Sequence, residues 1–211
     1  MKKFEYVSKS EYMPIKQDLI KLINLVQDEV RENFTFRFDF IGSASRNMIT
    51  REINGNVGYD FDVNIRVNDE DENYNAEEIR NILKKAFDKY SHLFSYDYAE
   101  DSSRVITIKV KDKKKSRILH SCDFAVVFDC NTGKQQYIRY NKTQNIYVWE
   151  YQPDSFYRLE EKIKWIKKNG LWQEVRNKYL INKGNNSDSN KKSRSIFAET
   201  VAQVYNENQM Y

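Results

Sequence analysis

Two aspartates separated by one residue are the side chains of this sequence best suited to chemistry. Asp60 and Asp62 open a run in which apolar and polar residues alternate up to Val67, a pattern typical of a half-buried β-strand. Residues i and i+2 of a strand share one face, so the two carboxylates repel each other unless a cation lies between them. Hard cations such as Mg²⁺ take oxygen ligands and often bind phosphates as well. The spacing therefore predicts a metal site on a strand.

A glycine–serine pair precedes these acids. Residues 35–41 alternate between apolar and polar types and predict a strand that runs directly into Gly42 and Ser43. Glycine has no Cβ, which lets a phosphate approach the backbone, and the serine hydroxyl and backbone N–H groups can donate to anionic oxygens. Such pairs are also ordinary turn formers, so the pair alone does not establish a phosphate site.

A third acid lies inside a later apolar strand. Asp123 interrupts the run 117–128, and a carboxylate there is costly to bury unless it has a partner. Asp129 competes for the same role, but turn chemistry at the strand end beside Asn131 explains it. Charges that discourage edge-to-edge aggregation are the alternative explanation for Asp60 or Asp62 singly. They do not explain a third acid within an apolar strand.

Periodicity and turn signals predict a series of helices and strands. The first half contains a helix at about 14–32 with Pro14 in its first turn, a strand at 35–41, a short helix at 44–49, a loop at 50–59, the aspartate strand, and a polar loop at 69–75. Asn75 caps the next helix with Glu78 three residues on. The second half contains strands at 104–110 and 117–128 joined by a lysine-rich turn, a hairpin of 136–140 and 145–151, and helices at 153–169, 171–180 and 196–205.

Composition limits the class of protein. The chain has 211 residues, of which 40% are hydrophobic and 14% aromatic, which favours a packed core over disorder. No apolar run approaches the roughly 20 residues that span a bilayer, and no hydrophobic signal segment follows the N-terminal lysines. We therefore predict a cytoplasmic protein with no membrane partner. Cys122 and Cys130 lie about 26 Å apart on one extended run at ~3.3 Å per residue, so we predict free thiols. We predict that His92 and His120 are structural.

The net charge of +4 is unevenly distributed. Residues 131–211 carry 14 Lys and Arg against eight Asp and Glu, whereas the first 130 residues are slightly acidic. A basic C-terminal region beside an acidic metal-binding half would suit a polyphosphate or nucleic-acid partner. A solvated helix face explains the same excess equally well.

In their order along the chain, Gly42-Ser43, Asp60-Phe61-Asp62 and Asp123 resemble the nucleotidyltransferase superfamily. That superfamily includes DNA polymerase β, poly(A) polymerases, oligoadenylate and cyclic-dinucleotide synthases, and antibiotic nucleotidyltransferases. The resemblance covers roughly residues 14–130. It implies a mixed α+β fold, with a mixed sheet packed on helices and C-terminal accessory helices. We expect a nucleotidyltransferase core over 1–152, a helical appendage packed on it over 153–211, and a flexible linker at about 183–195.

The resemblance also implies an enzyme that transfers a nucleoside monophosphate from an NTP to an acceptor hydroxyl. Asp60, Asp62 and Asp123 would be catalytic and would hold Mg²⁺ or Mn²⁺, since two metals stabilise both the attacking and the leaving oxygen. The nucleotide-binding residues would be Gly42, Ser43, Ser45, Arg46 and Lys162, although Lys162 lies among other lysines and equally suits a surface position.

Two features depart from the family pattern. The spacing from Ser43 to Asp60 is longer than usual, and Asn47 stands where many relatives have a second glycine. Two alternative functions remain: a nucleotide-binding regulatory module with little catalysis, and a nucleic-acid-binding or processing protein that uses its basic C-terminal helices. The sequence leaves the base, the oligomeric state and the acceptor open, and the acceptor could be a small molecule, an RNA end, a protein or a second nucleotide.

Overall fold

A computed structural model of the chain describes residues 2–69, 73–153 and 156–209. The chain divides into two compact units. The larger unit comprises residues 7–49 and 56–152, and the smaller comprises residues 1–6, 50–55 and 153–211. Parts of the predicted 69–75 loop, and Asp154 and Ser155 of the predicted helix start, lie outside the described residues.

A mixed seven-stranded sheet forms the larger unit. Its strands are β2 (Thr35–Ile41), β4 (Val57–Asn68), β5 (Glu100–Asp101), β6 (Ile106–Asp112), β7 (Arg117–Asp129), β8 (Gln135–Asn141) and β9 (Ile146–Tyr151). Five of them follow the order β2-β4-β7-β6-β5, and β8 pairs with the end of β7 and with β9. Only β4 and β7 are parallel neighbours, whereas the other pairs are antiparallel.

The two faces of this sheet differ because side chains alternate along each strand. One face is apolar and buried, as Phe61, Val63 and Ile65 on β4 and Cys122 and Phe124 on β7 show. Helices α1 (Lys9–Val30) and α3 (Ala76–Tyr90) contribute buried residues to the same core. The opposite face carries the polar residues of β4 together with Asp123 of β7, and it is called the open face below.

Capping residues explain where the two long helices begin. The side chain of Ser8 accepts a hydrogen bond from the backbone N–H of Glu11, so α1 begins five residues before the predicted start. Pro14 therefore lies inside α1 rather than in its first turn, and that prediction was wrong. The capping box predicted for α3 is present, because Asn75 accepts from the N–H of Glu78 and the Glu78 side chain accepts from the N–H of Asn75.

The smaller unit combines a two-stranded sheet with three helices. Strands β1 (Phe4–Tyr6) and β3 (Thr50–Glu52) pair antiparallel, and the helices are α4 (Leu159–Lys168), α5 (Trp172–Asn185) and α6 (Ser193–Gln209). Buried side chains of α5 and α6, including Val175, Tyr179 and Val201, form its interior. Within the described residues, no helix has both the length and the apolar character needed to cross a bilayer.

Several predicted boundaries move. The short helix predicted at 44–49 is α2 (Gly42–Ser45), and the predicted loop 50–59 contains β3 and the first residues of β4. Helical structure occupies both ends of the linker predicted at about 183–195, so the interhelical segment is residues 186–192. The fold class, mixed α+β with helices on a mixed sheet, is confirmed. The division at residue 152 stays a prediction.

Candidate active site

The parallel pairing of β4 and β7 brings the predicted acids to the open face. Asp62 lies directly opposite Asp123 in the register, and Asp60 lies opposite Ser121. The neighbours of Asp62 and Asp123 along each strand face the core, so these acids point the other way. Sixty-one residues separate Asp62 from Asp123 in sequence, and only this strand pairing makes them neighbours.

Gly42 lies against Asp62 and has a backbone conformation that favours glycine. It follows β2 directly, and its φ of +60° is in the left-handed region. A Cβ at this position would lie 2.5 Å from Oδ2 of Asp62, closer than real Cβ atoms approach an oxygen. Both the conformation and the close approach therefore favour glycine here. The sequence predicted a phosphate-approach turn, and the structure adds that the turn contacts an acid.

The rest of this turn is held by local hydrogen bonds. The carbonyl of Ser43 accepts from the N–H groups of Met48, at 2.9 Å, and Arg46, at 3.3 Å. The hydroxyl of Ser45 donates to the carbonyl of Gly42 at 2.9 Å. Ser45 thus already stabilises the turn, whereas Arg46 is half-buried and its positive charge partly offsets the rise in the pKa of Asp62 that burial causes. All four predicted nucleotide-binding residues of this region lie in one turn at the end of β2.

Asn47 has a conformation that explains how it replaces a glycine. Its φ is +54°, and asparagine tolerates the left-handed region better than most residues. Its side-chain oxygen accepts a hydrogen bond from the Tyr12 hydroxyl at 2.8 Å. The longer spacing to Asp60 also has a structural explanation, because residues 50–52 form β3 and pair with β1.

The electrostatics of the site are those of clustered carboxylates. Burial, then the charges of Asp60 and Asp123, raise the pKa of Asp62 to about 7. Burial also raises the pKa of Asp123, against a hydrogen bond from Thr107 and the positive charge of Lys109, which lower it. Three carboxylates that disfavour one another's charge form a site that a cation would stabilise.

Two residues of β6 were missed by the sequence analysis. Thr107 lies opposite Asp123 in the register, and its hydroxyl donates to Oδ1 of Asp123 at 2.6 Å. Lys109 lies opposite Ser121 on the same face, and its ammonium pairs with Glu100. The alternation of residues 106–110 marks both as open-face residues of a strand. Only the pairing of β6 with β7 shows that they adjoin the acids.

The carboxylates of Asp60, Asp62 and Asp123 provide the oxygen ligands that a hard divalent cation prefers, and the backbone places them on neighbouring strands. Three carboxylates share one face of neighbouring strands, and burial, followed by the charges of Asp60 and Asp123, raises the pKa of Asp62. As the side chains stand, no group of three or more His, Cys, Asp or Glu side chains among the described residues converges to hold a metal ion. Binding of a cation by all three carboxylates would therefore require at least one of them to move.

The remaining predicted residues have other surroundings. Lys162 lies on α4 in the smaller unit, where its ammonium is 5.8 Å from the ring centre of Tyr205 and 5.9 Å from that of Tyr157. Asp129, the competing acid, accepts two hydrogen bonds from Arg66 and one from Gln135. Its role is structural.

The residues predicted to be inert also have defined surroundings. Cys122 and Cys130 are free thiols, and Cys122 is buried. His120 is buried, its ring stacks on that of Tyr59, and burial lowers its pKa to about 4. The structural role predicted for His120 agrees with this environment, since a neutral, packed imidazole contributes to the core.

An apolar cavity of the larger unit lies away from the aspartates. It has a volume of about 520 Å³ and lies at the far end of β4, beside the start of α3. Its lining residues include Val67, Ile79, Phe128 and Trp149. Val67 belongs to the core face of β4, so the cavity is on the other side of the sheet from the acids.

The fold of the chain is that of nucleotidyltransferases that make cyclic dinucleotides. Vibrio cholerae DncV, a cyclic AMP-GMP synthase solved with the linear intermediate pppA(3′,5′)pG, matches with a TM-score of 0.58 and 14% identity over 94% of this chain and 52% of that one. Escherichia coli DncV bound to 3′-deoxy GTP matches with a TM-score of 0.56 and 17% identity over 94% and 54%. The CD-NTase CdnG of Bradyrhizobium diazoefficiens with GTP gives 0.51 and 14% over 68% and 39%.

These matches confirm the predicted superfamily resemblance at the level of the fold. The chain spans about half the length of the DncV structures and less of CdnG. No family model matches the sequence, and no curated protein matches it.

Proposed function

We propose that the chain is a metal-dependent nucleotidyltransferase that transfers a nucleoside monophosphate from an NTP to an acceptor hydroxyl. The observation that carries the proposal is the pairing of Asp62 with Asp123 on the open face, with Gly42 packed against Asp62. A half-buried carboxylate cluster beside a glycine turn contributes little to stability. Its arrangement suits the binding of a cation together with a triphosphate.

The proposed roles follow from the positions of the residues. Gly42 and Ser43 would seat the β- and γ-phosphates, because the missing Cβ leaves the turn open to phosphate oxygens. Arg46, whose charge already acts on Asp62, and Ser45 would be further phosphate contacts. The acceptor oxygen would bond to the α-phosphorus as the bond to pyrophosphate breaks. Asp123 would help to activate that oxygen. The role of Lys162 as a phosphate contact stays a prediction.

Asp60, Asp62 and Asp123 are the residues that would hold the divalent metal, Mg²⁺ or Mn²⁺. When bound, the metal would neutralise phosphate charge and polarise the reacting oxygens. The DncV and CdnG structures contain GTP, a GTP analogue or a linear dinucleotide. An NTP is therefore the substrate class to test first, and a second nucleotide is one of the acceptors.

The test is incubation with each α-labelled NTP and Mg²⁺ or Mn²⁺, first alone and then with candidate acceptors. We expect labelled product from the wild type. Asp60→Asn, Asp62→Asn and Asp123→Asn should each lower the rate by at least about 100-fold, since each removes a charged ligand that the metal needs. Asp129→Asn is the matched control, because this acid lies on the same sheet but pairs with Arg66.

The outcomes separate the three functions. Transfer that survives in all three aspartate variants would contradict the proposal. Binding of NTP without turnover would favour the regulatory module. Salt-sensitive binding of oligonucleotides without NTP turnover would favour the nucleic-acid-binding protein.

A further inference from the structure

The hydroxyl of Thr107 makes the one side-chain hydrogen bond to Asp123 found within residues 2–69, 73–153 and 156–209, at 2.6 Å to Oδ1. We propose that Thr107 is a positioning residue that holds the Asp123 carboxylate in one orientation. The inference rests on the proposed function only for the purpose of this orientation, which is metal binding by Asp123. The hydrogen bond itself follows from the pairing of β6 with β7.

The register of β6 against β7 holds Thr107 next to Asp123. Thr107 and Asp123 are directly paired on neighbouring antiparallel strands, where opposite side chains lie close together. Ile106 and Ile108 on either side are fully buried and anchor β6 in the core. The backbone of Thr107 is therefore held from both sides, and its β-branched side chain has few rotamers to choose from.

The hydrogen bond from Thr107 occupies one of the two carboxylate oxygens of Asp123 and, within the part of the chain that the structure describes, leaves the other without one. Oδ1 of Asp123 accepts from Thr107, whereas Oδ2 accepts no hydrogen bond from the described residues. A carboxylate fixed through one oxygen keeps the other available for a cation, at little entropic cost on binding. Residues that orient a metal ligand in this way commonly change metal affinity or activity by about 10- to 100-fold when they are removed.

Lys109 does not perform the same task. Its ammonium pairs with Glu100 on β5, and it acts on Asp123 through its charge rather than through a hydrogen bond. Thr107 is therefore the residue of β6 that can determine the direction of the Asp123 carboxylate. A threonine present only for its strand propensity would be equally well replaced by valine.

The experiment compares Thr107→Val, which keeps the shape and loses the donor, with Thr107→Ser, which keeps the donor. Thr35→Val is the matched control, because Thr35 is a strand threonine on the same face at the far end of β2. Binding of Mn²⁺ to the full chain is measured by electron paramagnetic resonance, and the Mn²⁺ dependence of transfer is measured separately. Crystal structures of the metal-free variants give the orientation of Asp123.

We expect Thr107→Val to weaken Mn²⁺ binding by about 10-fold or more. The Mn²⁺ concentration for half-maximal transfer should rise in parallel, with the KM for NTP at saturating metal and the Tm unchanged. Thr107→Ser and Thr35→Val should bind Mn²⁺ like the wild type. In the valine variant the Asp123 carboxylate should rotate or occupy more than one orientation.

Wild-type Mn²⁺ binding and an unchanged Asp123 in Thr107→Val would overturn the inference. If the wild type binds Mn²⁺ but transfers no nucleotide, the proposed function fails while the binding comparison still tests Thr107. If the wild type binds no Mn²⁺, the orientation of Asp123 in the crystal structure of Thr107→Val tests the positioning role of Thr107. Rotation supports the positioning role, and an unchanged orientation refutes it.

Discussion

Gly42 is the residue at which sequence and site are most tightly linked. The sequence predicts it as a turn glycine that lets a phosphate approach. The structure shows a second reason for glycine at position 42, because a Cβ there would lie 2.5 Å from Oδ2 of Asp62. A side chain here would strain the backbone and also displace a proposed metal ligand. Gly133 has a φ of +75°, and a Cβ added there would have nothing within 4 Å among the residues that the structure describes. A substitution at Gly133 therefore measures the backbone strain alone.

We predict that Gly42→Ala abolishes or strongly reduces transfer and lowers the free energy of unfolding by more than Gly133→Ala does. Alanine in the left-handed region costs about 1–2 kcal/mol at either position. Only at position 42 must the carboxylate of Asp62 also move. Thermal unfolding and NTP turnover of the two variants measure the difference. Equal loss of stability with full activity in Gly42→Ala would show that the contact with Asp62 does not matter.

At the level of elements, the edge of the sheet beside β6 is anchored to α3. Arg80 of α3 is completely buried. Its guanidinium donates to Asp101 of β5 at 2.6 and 2.9 Å and to the carbonyl of Ser102 at 3.1 Å. The hydroxyl of Tyr147 also donates to Asp101. This network fixes β5, which pairs with β6 and so supports Thr107.

We predict that Arg80→Met lowers the free energy of unfolding by about 3 kcal/mol, since it leaves the Asp101 carboxylate without its positively charged partner and the Ser102 carbonyl without this donor. The double variant Arg80→Met, Asp101→Asn should recover part of this loss, because it also removes the unpaired charge. Chemical denaturation of both variants and of Asp101→Asn gives the coupling energy. Additive losses in the double variant would show that the pair is not coupled.

At the level of the whole molecule, the stability of the fold depends on pH because the core keeps the His120 side chain neutral. His120 is buried against Tyr59 and Tyr96, and its folded pKa of about 4 is below the ordinary value of 6.5. Between these values the unfolded chain binds a proton that the folded chain does not. Stability from this group is therefore present above about pH 6.5 and is lost as the pH falls toward 4.

We predict that the wild type loses on the order of 1–2 kcal/mol of stability between pH 7 and pH 5 through His120. His120→Gln, which keeps a hydrogen-bonding partner for the Tyr96 hydroxyl but cannot titrate, should show a smaller decrease. Urea denaturation at several pH values measures both slopes, with His92→Gln as a control at an exposed position. Parallel slopes for His120→Gln and the wild type would place the pH dependence elsewhere.

Local patterns in the sequence determined much of the architecture. Alternation along residues 61–67 predicted a strand with its acids on the open face, the apolar run 117–128 predicted a second strand interrupted by Asp123, and the cap at Asn75 predicted where α3 begins. These signals are short-range, because side-chain periodicity and capping act within one element. They failed at β1, β3 and β5, short strands of two or three residues that depend on a distant partner.

By itself, the sequence determined the donor types, the spacing of Asp60 and Asp62 and the fold class. Only the tertiary structure decided that Asp62 pairs with Asp123 and that Gly42 packs against Asp62. It also decided that Thr107 holds Asp123. The physical reason is that strand register depends on side-chain packing between segments far apart in the chain. A two-residue slip of β7 against β4 would keep every side chain on its face and still separate Asp123 from Asp62, and no local pattern excludes it.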